Sequence, residues 1–275
     1  MTLENWISAH PYLRPVAEFH LQVAAAAKNV SMTFARIPNW KEYSDDYRRG
    51  VSFLQSSLCT LNSVELGGIL ALLLEKLAAL PLPAELKRPS RELCAEFRSN
   101  PSIPARAIDV LLGFGDFTFP HPGTFRLVGW ALLAHHLGPL VASFEAWRDE
   151  DTWLHRYCPV CGSGPSMAQL AGVDPGRRRN LVCGYCGTRW RFGRMDCPFC
   201  EGANHHHLSA LTVEGEKQFR IDYCDSCLGY LKTYNGAGCE KVLLADWTSL
   251  HLDVLAKDRG LKRLADSLYD LEGIN

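Results

Sequence analysis

Four C-x-x-C pairs carry the chemistry of this chain: Cys158/Cys161, Cys183/Cys186, Cys197/Cys200 and Cys224/Cys227. A tight turn aims both thiols of such a pair at one ion, and two turns supply the four thiolates of a tetrahedral site. Four pairs therefore predict two sites. Such a site keeps its ligands deprotonated and closes the coordination shell. Zinc in that cage is structural and can supply much of a small domain's folding energy, whereas iron in it is redox-active. C-P-x-C-G turns suit zinc ribbons and rubredoxins alike, so spacing alone leaves both metals open.

The pairs form an internal repeat. CPVCGS, a spacer and LVCGYCGTRW are followed by CPFCEG, a spacer and DYCDSCLGYLK, with Cys197 39 residues after Cys158 and Cys224 41 residues after Cys183. The repeat predicts ligation within each module. Cys158, Cys161, Cys183 and Cys186 would hold one ion, and Cys197, Cys200, Cys224 and Cys227 the other. Joining the two middle pairs instead leaves only ten residues between them and breaks the repeat.

Three of the 11 cysteines stand outside the pairs. Cys59 and Cys94 fall at apolar positions of predicted helices and read as small buried hydrophobes. Cys239, after Gly236-Ala237-Gly238, reads as an inert thiol. An odd cysteine count with regular C-x-x-C spacing argues for metal binding in a reducing compartment rather than a secreted disulfide framework. His205, His206 and His207 alternate faces if extended, and four cysteines already complete the nearby site, so the triplet reads as a solvated loop or strand start. His135-His136 reads as a helix-surface pair.

Arg177-Arg178-Arg179, Arg189, Arg191 and Arg194 gather near Tyr185, Trp190 and Phe192, the footprint of a zinc ribbon on nucleic acid. Acidic residues interleave with them, and the formal charge of −1 supplies no global basic field. A patch for an acidic protein partner, or a solvated face, fits equally. No nucleotide-binding, nucleophile-elbow or H-E-x-x-H motif occurs, so nothing in the sequence points to an enzyme.

The elements that position these residues divide the chain near Asp149-Glu150-Asp151. Residues 1–150 read as an α-helical domain: Pro15–Lys28, Trp40–Leu58, a helix capped by Asn62 or Ser63 that stops at Pro81-Leu82-Pro83, Ser90–Ser99 and Pro104–Leu112. An ordered loop over 113–124 precedes a long helix, capped by Thr124 and kinked at Gly138-Pro139, that runs toward Trp147. Strand-length runs follow at Asn180–Val182, Thr188–Phe192, His207–Val213, Gln218–Tyr223 and Tyr230–Tyr234. Residues 151–195 and 196–239 are the two metal modules. Residues 240–275 close the chain with helical stretches at Ala245–Ala256 and Leu261–Leu271. The fold class is α+β. The N-terminus lacks a secretory pattern and no apolar run reaches the roughly 20 residues of a membrane span, which gives a cytoplasmic expectation.

RYCPVCGSGPSMAQL, RRRNLVCGYCGTRWRFGRMDCPFC, IDYCDSCLGYLKTY and LADWTSLHLDVLAKDRG, in that order, resemble the formate dehydrogenase accessory protein FdhE family. The specific part of the resemblance covers about residues 156–259. It implies an all-helical N-terminal domain followed by two tandem rubredoxin-like, zinc-ribbon-like modules. It also implies a cytoplasmic role in maturing respiratory formate dehydrogenase through contact with its catalytic subunit, with iron as the usual metal. Glu201 departs from the pattern, standing where the first module has Gly162. A rubredoxin-like one-electron carrier and a zinc-ribbon nucleic-acid-binding protein are the alternatives.

Overall fold

The computed structural model describes residues 2–80, 84–172, 176–200, 208–216, 218–236 and 242–269. His205, His206, His207, Glu201 and Cys239 lie outside the described residues. The helices before the first C-x-x-C pair are α1 (Leu3–Ala9), α2 (Arg14–Lys28), α3 (Trp40–Arg48), α4 (Ser63–Ala79), α5 (Ala84–Ser99), α6 (Ile103–Leu111) and α7 (Pro122–Trp147). Among the described residues six strands follow: β1 (Pro165–Ala171), β2 (Arg178–Cys183), β3 (Arg189–Phe192), β4 (Leu208–Thr212), β5 (Phe219–Cys224) and β6 (Tyr230–Asn235). A 3-10 turn (Asp246–Ser249) then leads into α8 (Leu250–Asp258).

Asn62 caps α4 as expected, its side chain accepting from the Glu65 N–H at 3.2 Å. Three helical expectations before the first C-x-x-C pair are corrected. The helix expected over Trp40–Leu58 stops at Arg48. Gly50 (φ +78°) closes it in a Schellman pattern, with Val51 N–H on Asp46 O (2.9 Å) and Gly50 N–H on Tyr47 O (3.1 Å). A Cβ at Gly50 would also come within 2.6 Å of His155 Nε2, so the turn needs glycine on both counts. Thr124 does not cap α7; it is buried inside a helix that starts at Pro122, behind His121 in the left-handed region (φ 49°). Pro139 lies within that helix without ending it. α5 begins at Ala84 and runs through Pro89 instead of starting at Ser90.

α7 runs to Trp147, as expected. Its 26 residues and an 18-residue stretch of mean hydropathy 1.4 satisfy the length and composition of a membrane span, yet 61% of that stretch is buried inside the molecule. Leu127, Val128, Leu132, Leu133, Leu137 and Phe144 are all 2% exposed or less, which is the packing of a central core helix.

The strands form one sheet in the order β3-β2-β1-β6-β5-β4. Each module contributes three antiparallel strands. The modules join where β1 pairs in parallel with β6, in the register Met167↔Lys232 to Leu170↔Asn235. Alternating residues divide the two faces. Ala168, Leu181, Trp190 and Leu231 belong to the core shared with the helices. Met167, Val182, Phe219, Ile221, Tyr230 and Tyr234 pack with Trp6, Trp247 and Leu252 from the two ends of the chain. β1 lacks an alternating pattern because Pro165 through Leu170 are all buried.

The helix expected over Leu261–Leu271 is absent from its described part. Gly260 (φ +74°) ends the turn after α8, and Lys262 exchanges backbone bonds with Leu228 (2.8 Å) and Tyr230 (3.1 Å). Arg263 then donates to both oxygens of Asp246, each at 2.7 Å. Those contacts hold the segment extended against the sheet.

Candidate metal centres

The sulfurs of Cys158, Cys161, Cys183 and Cys186 converge, as do those of Cys197, Cys200, Cys224 and Cys227, each set lying within 4.8 Å of one another. In the first set Cys158 and Cys186 are 3.5 Å apart and Cys161 and Cys183 are 3.4 Å apart. In the second, Cys197–Cys227 is 3.8 Å and Cys200–Cys224 is 3.7 Å. A tetrahedron with metal–sulfur bonds of about 2.3 Å has edges of about 3.8 Å, so both donor sets fit one four-coordinate ion each.

Each turn is shaped by its own backbone. Gly162 N–H donates to Cys158 O (2.9 Å) and Cys158 N–H to Ser163 O (2.8 Å). Cys183 N–H reaches Thr188 O (2.9 Å), and its counterpart Cys224 N–H reaches Gly229 O (3.0 Å). Backbone N–H groups also point at sulfur: Tyr185 to Cys183 and Phe199 to Cys197, both 3.4 Å, and Gly229 to Cys227, 3.3 Å. Such donors favour thiolate over thiol.

The two sets differ in their surroundings. Cys158, Cys183 and Cys186 are buried and Cys161 is half-buried; in the second set only Cys224 is buried. The helices grip the first turn directly. Phe53 and Leu54 donate backbone N–H to Pro159 O and Val160 O, each at 2.9 Å, and Ser52 Oγ donates to Cys158 O at 2.9 Å. These partners come from the segment released when α3 ends at Gly50. Trp190 Nε1 ties β3 to His155 O at 2.8 Å.

Electrostatics follow the same contrast. Burial pushes the Cys158 and Cys183 thiols well up. For Cys161 burial pushes up, but hydrogen bonds with Cys158, Cys183, Cys186 and Ser163 outweigh it and hold the thiol well below its usual range. In the second set burial pushes Cys197 up to about 12. Cys224 comes down to about 7 against burial, through the N–H groups of Cys227 and Ser226 and its thiol neighbours. Four thiols so close cannot all ionise unaided, and a divalent cation is what displaces their remaining protons.

Both sets lie along the same end of the sheet. Cys183 closes β2, Cys224 closes β5, and the parallel β1–β6 pair points the two modules the same way. β2 and β5 are three strand spacings apart, on the order of 14 Å.

Of the remaining sequence candidates, Cys94 is buried and Cys59 half-buried, the latter pushed up to about 11 by burial. The surface reading of His135-His136 is corrected for His136, which is buried with Nδ1 2.8 Å from Thr33 O. The basic strip is largely engaged. Arg179 is buried and donates to Asp196 O (2.9 Å), Arg189 donates to Gln169 Oε1 (2.9 Å), and Arg191 pairs with Asp151. Arg177, Arg178 and Arg194 join Arg179 and Arg191 around a hollow of about 590 Å³ that Asp151 and Asp196 also line. Sequence reasoning missed β1 and the grip of residues 52–54 on the first turn. Gly50, followed by a non-helical Val51-Ser52, was the available signal.

No family model matches the chain. It is similar to the Protein FdhE homolog of Stutzerimonas stutzeri (strain A1501), 32% identical over 184 residues, covering 63% of this chain and 57% of that protein. The Protein FdhE homolog of Aquifex aeolicus (strain VF5) is 28% identical over 133 residues, 46% of this chain and 47% of the relative. Protein FdhE of Escherichia coli (strain K12 / DH10B) is 36% identical over 112 residues, 39% and 35% respectively. The chain thus spans from about a third to somewhat over half the length of the curated relatives it matches. The crystal structure of the FdhE protein from Pseudomonas aeruginosa superposes with a TM-score of 0.58 at 19% identity, covering 96% of this chain and 90% of that one. That likeness establishes a shared fold.

Proposed function

From the premise that this chain is an FdhE relative in sequence and fold, we propose that it is a cytoplasmic accessory factor for respiratory formate dehydrogenase. In this reading it binds the catalytic subunit during maturation through a metal-bearing scaffold. Cys158, Cys161, Cys183 and Cys186 would hold one ion and Cys197, Cys200, Cys224 and Cys227 the second. The ions, zinc or iron, would supply rigid cross-links, and iron would add one-electron chemistry.

The observation that carries the reading is the closure of both sulfur sets. Four thiolates around one ion leave no vacancy for a substrate, so the working parts are the surfaces around the metals. The first set sits inside the helix–sheet junction and fixes the two parts together. The second, with three half-buried cysteines, presents its turns outward at the same end of the sheet. A platform with one internal and one outward-facing metal turn suits holding a protein partner better than turning over a small molecule.

The test is affinity capture under anaerobic conditions, with the metal-loaded full chain as bait and the formate dehydrogenase catalytic subunit as prey. Recovery of the subunit, weakened by stripping the second metal set, is expected. Failure to recover it with both sets loaded would sink the proposal.

A further inference from the structure

Three side chains from distant parts of the chain meet away from the sulfur sets. His10 follows α1, Glu216 lies between β4 and β5, and His251 is in the first turn of α8. Nε2 of His10 and Nε2 of His251 are each 2.9 Å from the same carboxylate oxygen, Glu216 Oε1, and the three side chains are only 13%, 16% and 13% exposed for His10, His251 and Glu216. The three atoms lie within 4.8 Å of one another.

Hydrogen bonding accounts for the His10 side of this meeting but not for the His251 side. His10 Nδ1 is 3.0 Å from the carbonyl oxygen of Trp6. A carbonyl only accepts, so Nδ1 carries the hydrogen, and a neutral His10 then turns the lone pair of Nε2 toward the carboxylate. His251 Nε2 is buried and makes no directed hydrogen bond despite its nearness to Glu216, and its Nδ1 has none either. Whatever hydrogen His10 Nε2 gives Glu216 Oε1 at 2.9 Å, both ring nitrogens of His251 face the same site with no hydrogen-bond partner. A ring that gives Nδ1–H to a backbone carbonyl and offers Nε2 outward is in the orientation used by imidazole metal ligands. The rings are also held in place. His10 stacks on Trp6 (3.8 Å) and on His251 (5.4 Å), and Tyr12 sets its edge against both (5.8 and 5.7 Å).

We infer that His10, Glu216 and His251 form a third metal site, independent of the cysteines, that takes a borderline divalent cation such as zinc. Two imidazoles and one carboxylate select that class over magnesium or calcium. Bonds of about 2.0–2.1 Å place tetrahedral ligand atoms about 3.3 Å apart, so the 2.9 Å contacts need to open by only a few tenths of an ångström. Three protein ligands leave a position for water. The ion would clasp the N-terminal segment to the β4–β5 turn and to α8, joining regions that meet only in the folded chain.

The full chain is saturated with zinc, freed of excess by gel filtration, and its metal counted per chain by mass spectrometry. Three zinc ions per wild-type chain are expected, and two in His10→Gln and in His251→Gln. Two ions in the wild type, or a third retained in both variants, would overturn the site. A second measurement needs no variant: cobalt is titrated into wild-type protein carrying two equivalents of zinc. Visible d–d bands without sulfur-to-cobalt charge transfer support the assignment, and no cobalt uptake refutes it.

Discussion

The indole of Trp130, on α7, stacks on the phenol of Tyr185, with ring centroids 4.7 Å apart and planes 25° from parallel. Tyr185 stands between Cys183 and Cys186, so the longest helix of the molecule rests on a cysteine turn of the first sulfur set. Trp130 is 3% exposed. Trp130→Ala should cost about 3–5 kcal/mol of stability, read from urea denaturation of the metal-loaded protein. It should also speed metal loss from the first sulfur set, leaving the second unchanged.

Leu228 and Gly187 follow the last cysteine of their modules, and both have positive φ, +59° and +77°. In a residue with a Cβ this conformation costs roughly 1–2 kcal/mol. Leu228 is 39% exposed, so it returns little of that cost through burial. Leu228→Gly should therefore stabilise the chain by about 1 kcal/mol, and Gly187→Ala should destabilise it by a similar amount, seen as opposite shifts in melting temperature. Nothing lies within 4 Å of a Cβ at Gly187, so the second effect is purely one of backbone conformation.

Lys232 is 1% exposed on β6, and its ammonium lies 2.7 Å from both Asp246 and Asp253. Burial alone would push the Asp246 carboxyl up; Lys232 and Arg263 outweigh it and hold the carboxyl well below its ordinary 3.8. The folded form thus releases its proton more readily than the unfolded form. The resulting stabilisation is complete above about pH 4 and fades as pH falls from there toward the folded value. Asp246→Asn should cost about 3–5 kcal/mol at neutral pH by leaving Lys232 and Arg263 to share the single carboxylate of Asp253. It should also flatten the dependence of the urea midpoint on pH below about 4.

Chelation should empty the two sulfur sets in sequence. A chelator reaches the half-buried thiolates of Cys197, Cys200 and Cys227 before the first set, where only Cys161 is half-buried. Metal release followed with a coloured indicator is expected in two phases. Cys227→Ser should abolish the fast phase and keep the slow one. Equal rates for both sets would contradict the difference in access.

The repeat in the sequence carried a great deal, because C-x-x-C turns are local and their spacing survives without knowledge of the fold. The grouping of the eight sulfurs by module and the α+β order of elements were legible for that reason. What escaped was decided by contacts between distant segments. β1 is covered on both faces, so it has no alternating pattern to read. The helix expected through Leu58 gave way because Gly50 meets His155 and because Phe53 and Leu54 have partners at Pro159 and Val160. The segment after Gly260 has helical composition, yet Asp246 and the start of β6 hold it extended. His10, Glu216 and His251 are separated by more than two hundred residues at the extremes, and no local spacing could unite them.

The parallel β1–β6 joint sets the first strand of one module beside the last strand of the other. Copies related in this way are shifted, not rotated, relative to each other, and a shift gives them different neighbours. One copy meets the joint through its first strand, β1, and the other through its last, β6, and each keeps one edge of the sheet, β3 and β4. A duplication joined by a two-fold axis would have held both under the same constraint. Here Phe53 and Leu54 grip the cysteine turn of the first copy, and where that copy has Gly187 the second has Leu228 in the same left-handed conformation.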